Sequence, residues 1–181
     1  MPMINDNIKA FILVFGAIVM SFLIGSIIEG FKGLITLAFG AKILAILLWG
    51  YRVVLGLLLA KGLQYYFFSS FDPNLEMIIS LSIIAVLPLI IVFYLMRLSG
   101  VGSLLLLPEI DFRHVLFFII LAGFITSISK FMYMLGHIDL SVNAGSFFVS
   151  ALLGQVLGGL LFLYGAVKLT PWIHSLFAPS K

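Results

Sequence analysis

The chain has no cysteine, which excludes disulfides, thiol catalysis and thiolate metal sites. It is also poor in charge: Asp, Glu, Lys and Arg make up 9% of its 181 residues, against about a quarter in a soluble domain. The carboxylates fall between the apolar runs, with no two at helical spacing inside one, so paired general acid–base chemistry has no seat. His114, His137 and His174 stand at opposite ends of such runs, too far apart to ligate one metal or haem. No phosphate-binding glycine loop, H-E-x-x-H pair or Ser-His-Asp pattern is present. These absences lead us to expect no enzyme, no cofactor and no metal.

Apolar residues are abundant. They supply 63% of the chain, and the mean hydropathy of +1.28 is that of an integral membrane protein. A helix needs about 20 residues to cross about 30 Å of hydrocarbon, so the length allows five to seven spans. The net charge of +3 then reflects loop cations on the cytoplasmic side and gives no reason to expect nucleic-acid binding.

Taken in order, the apolar runs predict an all-α bundle of about six transmembrane helices in a single domain over 1–181, with spans at 8–28, 33–49, 53–68, 77–96, 114–135 and 146–169. Met1 to Asn7 reads as a short polar leader, and Ile8 to Ile28 is too long for the apolar core of a signal peptide. Pro88 lies inside the fourth span, where it removes a backbone donor and favours a kink. The segment from Arg97 to Arg113 is the longest connection, and Trp172 in the tail suits interfacial depth.

Six spans place Lys9, Arg52, Arg97, Arg113, Lys168 and Lys181 on one side and Lys32, Glu29, Asp72, Glu76 and Asp139 on the other. The excess of cations predicts cytoplasmic termini and a multi-pass protein of the cell (inner) membrane.

Three lysines break the apolar runs. Lys42 and Lys61 flank the short basic turn Tyr51–Arg52, and Lys130 lies in the second half of the fifth span. An ammonium near the bilayer centre costs about 2.5–3.5 kcal/mol unless it snorkels, finds a partner or faces water, so each lysine is a functional hypothesis. The orientation puts all three in the outer half of the bundle, with Asn143 and Gln155 available as neutral hydrogen-bonding groups. They either hold a small anionic ligand or pair with Glu29 and Glu76 in a structural ion network.

Small residues recur at spacing four: Ala17, Ser21 and Gly25 on the first span, Gly154 and Gly158 on the last. Such stripes let helices approach closely, either within the bundle or against another membrane protein.

The stretch AFGAKILAILLWGYRVVLGLLLAKGLQYYF, through Gly40, Ala41, Trp49, Gly50, Arg52 and Gly56, resembles the N-terminal half of membrane-associated sensor (MASE-type) domains. ALLGQVLGGLLFLYGAVKL is similar to the last helix of that family, with Gly154 and Gly158 in place and Gln155 where the pattern has an acidic residue. The outline of six helices with a small-residue first helix also resembles the substrate-binding S-components of energy-coupling-factor vitamin transporters. That second likeness implies an outward-facing pocket at Lys42, Lys61 and Lys130 and a docking face at Ala17 and Ser21. Together these features lead us to expect a small-ligand-binding module that acts through a membrane partner, as a stand-alone sensor-like or uptake-subunit-like protein. The competing expectation is a structural or accessory subunit of a larger complex. An ion or proton pathway through the lysines is a third.

Overall fold

In a computed structural model of the chain, the residues described are 2–27, 36–69, 73–99, 112–137 and 144–177. Their secondary structure is helical: α1 (Pro2–Ile27), α2 (Leu37–Trp49), a 3₁₀ turn (Gly50–Val53), α3 (Val54–Phe68), α4 (Leu75–Leu98), α5 (Phe112–His137) and α6 (Ala144–Phe177). Among the described residues, five helical segments are long and apolar enough to cross a membrane, where the sequence predicts six. The difference is Leu37–Phe68, a single helical run that contains both α2 and α3.

That run reverses at Gly50, whose φ of 66° suits a residue without a Cβ. Along an unbroken helix Lys42 and Lys61 would stand about 28 Å apart. They instead line one cavity, and Lys42 meets Ala85 while Gly62 lies within van der Waals reach of Ser82, one turn away on the same helix. The arms are short, about 20 Å for α2 and 22 Å for α3. Leu37–Phe68 is nonetheless the most buried of the five segments.

Helix α1 holds this hairpin from the side. The Asn7 amide donates to the Arg52 carbonyl at 2.7 Å and accepts from the Gly56 N–H at 2.8 Å. At the other end Phe22 meets Phe68, ring centroids 4.9 Å apart, so α1 and α3 run parallel. The polar leader read from the sequence is therefore a correction: helix begins at Pro2, because Asn7 finds its partners on the hairpin turn. The other helices also overrun their expected limits. Asn74 accepts from the Met77 N–H and starts α4 at Leu75; α5 spans Phe112–His137; α6 continues to Phe177, through the segment read as a tail. Helix α4 is assigned without a break through Pro88.

The core gathers Val14, Phe39, Ile43, Leu57, Leu89 and Phe118 from five helices. Outward positions are apolar too, among them Ile12, Leu59, Leu87, Phe117 and Leu161. A surface of that kind is covered by lipid rather than water. Glu29, Lys32, Asp72, Asp139 and Asn143 lie outside the described residues.

Candidate functional site

One polar cavity of about 270 Å³ opens within the apolar bundle. It lies where the start of α2, the end of α3, the middle of α4, the second half of α5 and the start of α6 converge. Its lining brings together four residues that the sequence singles out, Lys42, Lys61, Lys130 and Gln155, while Asn143 lies outside the described residues. No carboxylate belongs to the described lining. Glu76, one proposed partner of the lysines, is exposed in the first turn of α4 and does not line it, and Glu29 lies outside the described residues.

Close helix packing positions the walls. A Cβ on Gly158 would lie 2.5 Å from backbone atoms of Thr36, and one on Gly40 2.6 Å from the Phe162 Cβ. Backbone therefore meets backbone where α2 enters against α6, and the Thr36 N–H donates to the Gly154 carbonyl at 3.1 Å. Gly154 and Gly158 are thus used within the chain. The same holds for α1, where Ala17 and Gly25 are buried and the half-buried Ser21 hydroxyl donates to the Ala17 carbonyl at 2.8 Å.

Each lysine has partial compensation. The Lys42 ammonium, 2% exposed, donates to the Ala85 carbonyl at 2.7 Å and stands 5.2 Å from the Phe39 ring centre. Lys61, 5% exposed, donates to the Gln64 side-chain oxygen and faces the Tyr65 ring at 5.6 Å. Lys130 is half-buried between the rings of Tyr65 and Phe147, at 5.9 and 5.8 Å, and so turns toward the cavity rather than lipid. A cation–π contact contributes about 0.5–2 kcal/mol, whereas burying an ammonium costs several kcal/mol even after relaxation. Rings and neutral acceptors orient the charges without cancelling them.

Two further groups in the lining lack partners. Thr126 Oγ1 and Gln155 Oε1 are buried without a hydrogen bond, as is Ser127 Oγ beside Thr126. A buried polar atom left unpaired costs about 1–3 kcal/mol, so the groups on the cavity wall call for a partner within the cavity.

Several lining residues were not singled out from sequence, yet helical spacing from the lysines reaches them. Phe39 is three residues before Lys42, Gln64 and Tyr65 are three and four after Lys61, and Thr126 is four before Lys130. Positions three and four apart share a helix face, so each lysine carries its neighbours into the site. Comparison with protein-family models, curated proteins and solved structures gives no match to the chain.

Proposed function

We propose that the protein is a membrane-embedded module that binds a small anionic ligand among Lys42, Lys61 and Lys130 and acts through a partner membrane protein, as a sensor-like or uptake-subunit-like component. The observation that carries this is three lysines around one cavity whose described lining holds no carboxylate. Unmatched charge in a low-dielectric interior is unfavourable unless an anion completes it. Thr126 and Gln155, buried and unpartnered on the same walls, add hydrogen-bonding capacity that a ligand can use. Binding rather than covalent catalysis is the simplest use of such a lining.

In this proposal the α2–α3 hairpin crosses the membrane as two short spans, giving six in all, with both termini cytoplasmic and the cavity toward the outside. The contact of Asn7 with Arg52 supports it, since Lys9 and Arg52 then share the end of the bundle opposite the cavity, as the positive-inside rule favours. The sensor-domain and S-component likenesses agree with a ligand-responsive or uptake role.

The test is thermal stabilisation of the purified, membrane-reconstituted protein by a panel of anionic metabolites. At least one should raise the melting temperature, and Lys61→Ala should remove the effect. Absence of stabilisation by any anion class would overturn the proposal.

A further inference from the structure

Granting that the cavity binds an anion, we infer that its ligand is a compact dianion carrying one hydrogen-bond donor. Charge sets the first requirement. Three lysines face a described lining without a carboxylate, so a ligand with two anionic groups can engage more of them at once than a monoanion can.

The inventory of hydrogen-bonding groups sets the second. Each ammonium has three N–H donors, and Lys42 and Lys61 direct one each to the Ala85 carbonyl and the Gln64 oxygen. The remaining N–H groups, with the Thr126 hydroxyl, make the walls rich in donors. Against them the unpaired Gln155 Oε1 is a buried acceptor, 9% exposed, that asks for a single donor in return. A ligand with several anionic oxygens and one O–H answers both demands.

Size sets the third. The cavity of about 270 Å³ stands at the lower end of the range of about 300–1,000 Å³ typical of drug-sized ligands, which suits a compact one. Hydroxylated dicarboxylates of about four carbons and inorganic phosphate share the required chemistry.

The experiment is calorimetric titration of the full chain in lipid nanodiscs, at neutral pH and low ionic strength, with butyrate, succinate, malate and inorganic phosphate. Succinate should bind about tenfold or more tighter than butyrate, which has the same chain length and one charge fewer. Malate should bind about fivefold tighter than succinate through its added hydroxyl. Gln155→Leu should erase that advantage, so that malate and succinate then bind alike. Tight binding of inorganic phosphate, whose dianion carries one O–H, supports the same inference and assigns phosphate as the source. Butyrate binding as tightly as succinate, lost in Lys61→Ala, overturns the dianion while anion binding stands. Failure of all four probes overturns both.

Discussion

The ammonium of Lys42 donates to the carbonyl of Ala85 at 2.7 Å, three residues before Pro88 on α4. Proline lacks the N–H that would normally reach the carbonyl four residues back, which here is Ile84. Ile84 and Ala85 both line the cavity, so the proline lies next to the stretch of α4 backbone that meets the buried lysine. A backbone carbonyl orients an ammonium but carries no charge to neutralise it. Lys42 is therefore held in place by a neutral acceptor, with no carboxylate among the described lining residues.

Gly158→Ala should destabilise the protein by about 1–3 kcal/mol, because the added Cβ meets Thr36 backbone that cannot yield like a side-chain tip. Gly165→Ala, with nothing within 4 Å of its added Cβ, should change stability by no more than about 0.5 kcal/mol and serves as the control. Unfolding in detergent checks both.

Asn7→Leu should loosen the hairpin turn. It removes the bonds to the Arg52 carbonyl and the Gly56 N–H, a loss of about 1–3 kcal/mol when the backbone partners are left unpaired. Hydrogen exchange should rise at Gly50–Val53 while the centre of α4 keeps its protection.

Thr126→Val should raise the stability of the ligand-free protein by about 1 kcal/mol, since it removes a hydroxyl that is buried without a partner at nearly constant volume. The same change should weaken anion binding. Stability and affinity moving in opposite directions is the mark of a group retained for a ligand, and isothermal binding beside thermal melts reads both.

The helical class and the apolar segments were legible because composition leaves no alternative and each run is long. The extent of α1 was not: Asn5, Asp6 and Asn7 look like a solvated leader, and only the distant carbonyl of Arg52 explains why helix extends through them. The α2–α3 arms were read as separate spans from the turn at Tyr51–Arg52, while by length they count as one segment, since neither reaches about 30 Å alone. In the site, the lysines were visible as charges in apolar runs, and Gln155 as an amide among glycines. Thr126 and Tyr65 were not, because a threonine or tyrosine in a membrane helix is unremarkable until its distance from Lys130 or Lys61 along the helix is considered. The glycines Gly154 and Gly158 left open whether they packed inside or against a partner, and the close approach of Thr36 gives them an internal use.

The most direct test is the melting temperature of Lys61→Met beside the unaltered protein, each with and without a saturating dianion such as malate. On this account Lys61→Met should raise ligand-free stability, since taking an ammonium out of water costs several kcal/mol, and should abolish stabilisation by the anion. If Lys61→Met instead melts lower without ligand and gains as much from the anion as the unaltered protein does, Lys61 is a structural residue and the cavity is not an anion site.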